Sequence, residues 1–455
     1  MATKLEHCQI HPSPGTTDIQ ELSLPLTHFD IPFLISDPTQ RLIFFDFPTS
    51  ISHFLENIVP NLKKSLSITL THFLSLAGNI ILPSKSDSPV NRYISGDSVS
   101  LTIAQCYKDF YSLTKNHQKL ADEFYACVPV LPPAKKFHDL VVFPVIALQI
   151  TLFPGQGICI GITNSHVIAD ESSIINFVKT WALANKFGHL MDGIFLPVFD
   201  RTLVQDPKEL DSRAWNLIKK YRVLPVELPP LTFPINRVRK TFILTKKQVQ
   251  NLKNYVLANI PDLCYISSFS VICAYFWTCW VKSEASVGKN LNEDEPVYFA
   301  CGADCRARLV PPLPEAYFGN CVISVIAESR HGLLTGNEGV LIAAESIGKA
   351  IQETVYSEKG ILESADWPLD FGEFSGKRLI SVSGSPRFDV YEVDYGWGRP
   401  KKYEFVHIDR ENSISICKSR EFEGGFEIGL SRPKIEMDAF EAVFYQGLEI
   451  MNASP

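Results

Sequence analysis

The sequence has no long run of lysine or arginine, and its formal net charge is −7. That balance offers no general attraction to nucleic acid or to an anionic membrane surface. It also has no Cys-x-x-Cys pair, and its 11 cysteines are an odd, scattered set. Neither zinc spacing nor a disulfide framework is visible, so no metal site is expected. Cys159, Cys264, Cys273, Cys279 and Cys321 lie in apolar runs and read as buried, reduced thiols of a cytoplasmic protein. No G-x-G-x-x-G or P-loop run occurs, so neither a dinucleotide site nor nucleotide hydrolysis is indicated. The opening residues Met-Ala-Thr-Lys-Leu-Glu-His lack the apolar centre of a secretory signal, and the last residues carry no retrieval or lipidation motif. Residues 265–281 are apolar but include three serines, so they read as a core helix and no membrane association is expected.

What is present is globular. Apolar residues make up 45% and charged residues 20% of 455, too long a chain for one core, so two domains are expected. Strands are predicted over 41–47, 140–153, 157–163, 240–244, 297–303, 321–326, 379–383, 403–408, 413–419 and 424–430. Helical spacing of apolar residues covers 52–68, where Pro60 should offset or kink the helix, and a further helix should end at Gly78. Other helices are predicted after Asp170 and over 212–220, 246–257, 267–283, 339–357 and 438–448. Between Gly188 and Pro234, prolines 197, 207, 225, 229, 230 and 234 mark a long connection. The expected organisation is a first domain at 1–190, a crossover at 191–233 and a second domain at 234–455. Both mix strands and helices (α/β, or α+β) without the strict alternation of a doubly wound fold.

Chemistry centres on Thr-Asn-Ser-His-Val-Ile-Ala-Asp, residues 163–170. His166 follows a strand and precedes a helix, and histidine is the side chain suited to take a proton near neutral pH. Taken alone, the pair is equally a turn histidine with Asp170 capping the next helix. A second motif is Asp394-Tyr-Gly-Trp-Gly398. Gly396 and Gly398 permit positive φ and Trp397 can anchor the loop by burial, so this run reads as structural, with Asp394 not catalytic. A third is Asp304-Cys-Arg-Ala-Arg308 followed by Tyr317-Phe-Gly-Asn-Cys321. Arg306 either pairs with Asp170 or caps a strand end. Asn320, beside Gly319, either places an amide near a reacting carbonyl or ties down a turn. Lys179 lies on the border of the apolar stripe of its helix, where a lysine snorkels or holds an anion. Arg399, Lys401 and Lys402 form a basic cluster that is either a solvated face or a grip on a phosphate.

These motifs together resemble the plant BAHD acyltransferases, whose pattern is HxxxD in mid-chain and DFGWG towards the C-terminus. Here they read His166-Val-Ile-Ala-Asp170 and Asp394-Tyr-Gly-Trp-Gly398, with Tyr395 keeping the aromatic ring. The run 317–321 is similar to the signature of the subgroup acting on anthocyanins and other phenolic glycosides, as are Leu24-Pro-Leu-Thr-His-Phe-Asp30 and Phe199-Asp-Arg201. Ser165 and Glu171 depart from the family pattern, and Glu171 would disfavour an anionic acyl group if it pointed inward.

The resemblance covers the whole chain. It implies two chloramphenicol acetyltransferase-like domains with mixed sheets and a channel between them holding His166. His166 would be the general base, with no acyl-enzyme, no metal and no permanently bound cofactor. Acyl-CoA would be the co-substrate and a phenolic or flavonoid/anthocyanin glycoside the acceptor, in a cytoplasmic monomer. Malonyl is favoured because Lys179, in Phe177-Val-Lys-Thr-Trp181, can meet its carboxylate. Hydroxycinnamoyl transfer to the same acceptors, a non-sugar acceptor, or a catalytically silent binding protein remain as alternatives. For CoA the candidates are Ser267 and Ser268, opening a helix, and Ser383-Gly384-Ser385. Arg308, Arg399 and Lys401 are candidates for the 3′-phosphate.

Overall fold

The computed structural model describes residues 2–14, 19–83, 88–191, 193, 195–206, 208–221, 233–289, 292–357, 361, 374, 376–410 and 412–453. Two large mixed sheets organise it. The first has six strands in the order Ala2–Ile10, Val99–Cys106, Ile146–Phe153, Gly157–Asn164, Thr39–Phe45, Lys402–Phe405. The second has seven, in the order Val322–Arg330, Pro296–Asp304, Leu379–Ser383, Ser413–Lys418, Phe426–Pro433, Arg237–Leu244, Lys119–Leu120. A smaller five-stranded sheet flanks the first.

Burial explains which runs became strands. Ile146–Phe153 and Gly157–Asn164 are buried along their whole length, which is why their sequences are continuously apolar rather than alternating. They pair antiparallel around the Pro154-Gly155 turn and deliver the chain to His166. The 140–153 run is two strands, breaking at Val145, whose carbonyl accepts from Ser165 N. Pro60 is accommodated by a π-helical turn, Phe54–Ile58, placed directly before the helix Val59–Leu70. Gly78 closes the short helix Leu74–Ala77 in extended, not left-handed, conformation.

Helices Val59–Leu70 and Glu171–Phe187 cover the first sheet, with Trp181 fully buried between them and Nε1 donating to the Leu62 carbonyl. On the second sheet, Ser268–Ser286 is buried on nearly every face, between Gly339–Val355 and Lys434–Ala453. That accounts for its apolar sequence without a membrane. Among the described residues no helix is long and apolar enough to cross one. Cys159, Cys273, Cys279 and Cys321 are buried, but Cys264 is exposed, because it falls in the turn between two helices.

The sheets do not divide the chain at 190 and 234. Lys402–Phe405 pairs with Thr39–Phe45 in the first sheet, and Lys119–Leu120 pairs with Arg237–Leu244 in the second. Each sheet therefore borrows an edge strand from the other half of the sequence. Arg239, buried, cements the exchange by pairing with Glu404 at 2.9 Å and Asp409 at 2.6 Å. In the connection, the helix Leu210–Tyr221 is present, while Pro207, Pro225, Pro229 and Pro230 lie outside the described residues.

Candidate active site

His166 sits in a single 3-10 turn, His166–Ile168, between the strand Gly157–Asn164 and the helix Glu171–Phe187. Its ring is sandwiched against Phe33, centroids 3.8 Å apart and planes 13° from parallel. Nδ1 lies 3.1 Å from Asn320 Oδ1. The Asn320 amide has only one sensible orientation. Its Nδ2 faces Asp30 Oδ1 at 2.9 Å and the carbonyls of His166 and Val167 at 3.0 and 3.3 Å, all acceptors. Oδ1 must then be the atom that meets the ring, so His166 Nδ1 carries the proton and Nε2 a lone pair. Burial pushes the His166 pKa below its usual 6.5, partly offset by Asp170 and Glu171. The ring is thus a neutral base at physiological pH. Because both Asn320 amide hydrogens face these acceptors, Asn320 cannot also donate to a reacting carbonyl; it orients the base.

Asp170 turns away from the ring. Oδ1 caps the helix Glu171–Phe187 by accepting from Ser173 N at 3.1 Å, and Oδ2 accepts from Cys321 N at 3.1 Å. Arg306 grips both oxygens, at 3.0 and 2.8 Å. The same guanidinium donates to the carbonyls of Tyr317 and Gly319. Arg306 therefore ties the His166 loop to the run 317–321. Gly319 is needed there: its φ is +154°, and a Cβ would lie 2.5 Å from the Arg201 guanidinium. Arg201 in turn donates to the Phe318 carbonyl at 2.5 Å and lies over the Tyr317 ring. Leu24–Asp30, Phe199–Arg201 and Tyr317–Cys321, three motifs far apart in sequence, converge here.

Glu171 does not present a bare charge. Its carboxylate pairs with buried Arg41 at 2.7 Å and accepts from Tyr403 Oη at 2.9 Å, and Arg41 also donates to Asn164 Oδ1.

Asp394 Oδ1 accepts from Gly396 N and Gly398 N at 2.8 and 2.9 Å, and Oδ2 pairs with Lys186 at 2.7 Å. Burial opposes its ionisation, but Lys186 and the two N–H groups hold its carboxyl below the usual range. Both glycines have positive φ, +95° and +83°. Tyr395, not Trp397, is the fully buried anchor, edge-on to Trp181; Trp397 is half-buried against Phe45 and Phe47. The loop is held on the far end of the helix that begins at His166's neighbour Glu171.

The remaining candidates are dispersed. Ser267 is spent as the cap of Ser268–Ser286, its hydroxyl bonded to Ser270. Ser385 caps a short turn, and Gly384 has φ +78°. Ser383 Oγ lies 3.0 Å from His407 Nε2. Lys179 is half-buried and facing the 386–392 turn; burial lowers its pKa, with Asp389 and Glu392 opposing. Lys402 is no phosphate grip: it is buried and paired with Glu427. Arg399 is paired with Glu392, and Arg308 bonds the Asp304 carbonyl.

Sequence reasoning passed over Phe33, Arg41, Tyr403 and His407. Asp30 was visible only as the end of a motif, and His407 has no neighbours that mark it. His28, Asp206 and Asp211 come within metal-ligand spacing; His28 Nδ1, Asp211 Oδ1 and the Asp206 carboxylate are engaged, while His28 Nε2 is buried without a partner among the described residues. Asp211 Oδ1 accepts from His28 N and Nδ1, and Asp206 accepts from Leu210 N and Asp211 N, docking the helix Leu210–Tyr221.

Against known proteins, the Transferase family profile matches residues 1–446. Phenolic glucoside malonyltransferase 1 of Nicotiana tabacum is 42% identical over 99% of this chain and 100% of its own. Malonyl-coenzyme:anthocyanin 5-O-glucoside-6'''-O-malonyltransferase of Salvia splendens is 42% identical over 97% of this chain and 94% of its own. A coumaroyl-CoA:anthocyanidin 3-O-glucoside-6''-O-coumaroyltransferase of Arabidopsis thaliana is 33% identical over 98% and 97%. Among solved structures, vinorine synthase superposes with TM-score 0.68 at 22% identity over 96% of each chain. TRI101 of F. sporotrichioides, complexed with coenzyme A and T-2, superposes with TM-score 0.66 at 15% identity over 91% of this chain and 96% of that one. Both likenesses concern the fold.

Proposed function

The chain belongs to the BAHD family of acyl-CoA-dependent acyltransferases, and on that premise we propose that it transfers malonyl from malonyl-CoA to a sugar hydroxyl of a phenolic or flavonoid glycoside. The observation that carries the chemistry is the His166–Asn320 bond, which leaves Nε2 as the base. The acceptor hydroxyl gives its proton to Nε2 as its oxygen bonds to the thioester carbonyl carbon. The carbonyl electron pair moves onto oxygen, giving a tetrahedral oxyanion. Collapse re-forms the carbonyl and breaks the C–S bond, and the CoA thiolate takes the proton back from His166. No acyl-enzyme forms, and acyl-CoA is consumed as a co-substrate. Asp170, saturated by Arg306, Ser173 and Cys321, shapes the loop and relays no charge. The enzyme works as a cytoplasmic monomer.

The malonyl preference rests on the relatives of 41–42% identity and on Lys179, half-buried beside the 386–392 turn and without an ion pair among the described residues. Glu171, neutralised by Arg41, does not repel an anionic acyl group. The test is a donor-by-acceptor matrix of malonyl-CoA and p-coumaroyl-CoA against phenolic and anthocyanin glucosides, following free CoA. Malonyl turnover is expected to dominate; faster p-coumaroyl transfer overturns the donor, and no turnover in any cell overturns the activity. Lys179→Ala should lower kcat/KM for malonyl-CoA by about 10- to 100-fold, as loss of a charge-assisted bond does, while sparing p-coumaroyl-CoA.

A further inference from the structure

Asn320 is committed to orienting His166, so the oxyanion needs another donor. The seam between the two sheets contains one candidate. Along Thr39–Phe45, residues 40, 42 and 44 turn their backbone groups toward Lys402–Phe405; Phe44 O accepts from Lys401 N and Gln40 O from Val406 N. Gln40 N–H faces the same way. The partner strand has ended there and the chain enters the turn His407–Asp409, where His407 Nδ1 lies 3.3 Å from both the N and the O of Gln40. The oxygen already accepts from Val406 N at 2.8 Å, whereas the Gln40 N–H has no other acceptor among the described residues, so Nδ1 takes it. A ring nitrogen that accepts carries no proton, so the proton is on Nε2, which donates to Ser383 Oγ at 3.0 Å. A serine oxygen that accepts from an imidazole must turn its own proton elsewhere. Ser383 has no other side-chain partner among the described residues and is half-buried, not sealed.

We infer that His407 is a positioning residue that directs the Ser383 hydroxyl proton at the thioester carbonyl oxygen, so that Ser383 stabilises the tetrahedral oxyanion. This rests on acyl transfer at His166 as proposed above. Ser383 ends a strand of the second sheet and His407 follows the edge strand of the first, so their bond crosses the seam. Gln40, which His407 meets, is the register partner of Thr163, three residues before His166, so the bond lies by the end of the strand that delivers His166. Burial, with Arg41 nearby, pushes the His407 pKa down to about 3, so the ring stays neutral during turnover. As the acceptor oxygen bonds to the carbonyl carbon and its proton passes to His166, the carbonyl oxygen gains an electron pair and receives the Ser383 hydrogen bond. On collapse the carbonyl re-forms, the C–S bond breaks and the thiolate takes the proton from His166. Ser383 keeps its own proton throughout. A neutral donor fixed before the charge develops, in a half-buried seam, is the arrangement that favours a transition state over a ground state.

The experiment compares wild type, Ser383→Ala, His407→Phe, His407→Gln and Ser383→Ala/His407→Phe by steady-state kinetics and thermal melting. Wild-type transfer is established first; if it is absent, the acyltransfer reading fails and not this one. Given wild-type turnover, Ser383→Ala should lower kcat by about 10²- to 10³-fold, the loss seen for one oxyanion donor, with KM for acyl-CoA and melting unchanged. His407→Phe should lower kcat similarly, and the double variant no further. His407→Gln, whose amide can accept from Gln40 and donate to Ser383, should recover part of the loss. Retention of kcat in Ser383→Ala within threefold or so, a change confined to KM, or additive losses in the double variant would each overturn the proposal. If His407→Phe does not fold, Ser383→Ala and His407→Gln decide it: loss in the first with activity in the second supports the inference, any other pair of results refutes it.

Discussion

At the scale of single residues, the active site is a problem of which atom holds a proton. His166 is set by Asn320, and Asn320 by Asp30, so the base is defined three side chains deep. Burial lowers the His166 pKa, and the proton abstraction proposed above needs the neutral ring. The acid limb of kcat/KM against pH should therefore have its midpoint below 6.5, with activity rising as pH rises through it and level above. A midpoint above 6.5 in a pH–rate profile would contradict this environment. Asn320→Ala lets the ring proton shift from Nδ1 to Nε2 and removes the amide donor to Asp30 and to the His166 and Val167 carbonyls, although Asp30 keeps its bonds from Thr27 and from the 320 N–H. We expect kcat to fall about 100-fold or more and unfolding stability by about 1–3 kcal/mol, read from turnover and a urea titration. His166 stood out in the sequence as a candidate only when read together with Asp394–Gly398 and Tyr317–Cys321, since its local setting fits a turn histidine equally well. Its tautomer was not legible there, because Asn320 stands 154 positions away.

At the scale of elements, one helix connects two motifs. Glu171–Phe187 begins at the Asp170 cap and ends where Asn185 and Lys186 hold Tyr395 O and Asp394. The apolar stripe of this helix predicted its existence, and its observed start lies within a residue of the expected one. Asp170 belongs to the element more than to the chemistry. Asp170→Asn leaves Arg306 buried without its carboxylate, at a cost of roughly 3–5 kcal/mol. The urea midpoint should drop accordingly, and kcat of the folded variant should fall less than that of His166→Ala. A midpoint within error of wild type would return Asp170 to the proton path. Elements with weak or amphipathic signals went unseen in the sequence. Ala2–Ile10 is largely exposed at a sheet edge, so no buried stripe marked it.

At the scale of the whole molecule, the exchanged edge strands make the halves interdependent. The core under the first sheet is completed by Val390, Tyr391, Val393, Tyr395, Tyr403 and Phe405, all from the last 70 or so residues. A fragment of residues 1–190 lacks them and would bare the Thr39–Phe45 edge. It should show no cooperative melt by circular dichroism, while the full chain unfolds with the first sheet intact until the second is lost. A sharp, reversible transition in the fragment would show that the borrowed strand is dispensable. The sequence by itself determined most element types, the α/β character and the His166-to-Asp170 motif as a candidate, because periodicity and residue chemistry act over a few neighbours. Only the tertiary structure decided that Lys402–Phe405 crosses to the first sheet, that Asp170 faces Arg306, that Arg41 cancels Glu171 and that His407 meets Ser383. Those pairings join residues tens to hundreds of positions apart, and packing, not local pattern, selects them.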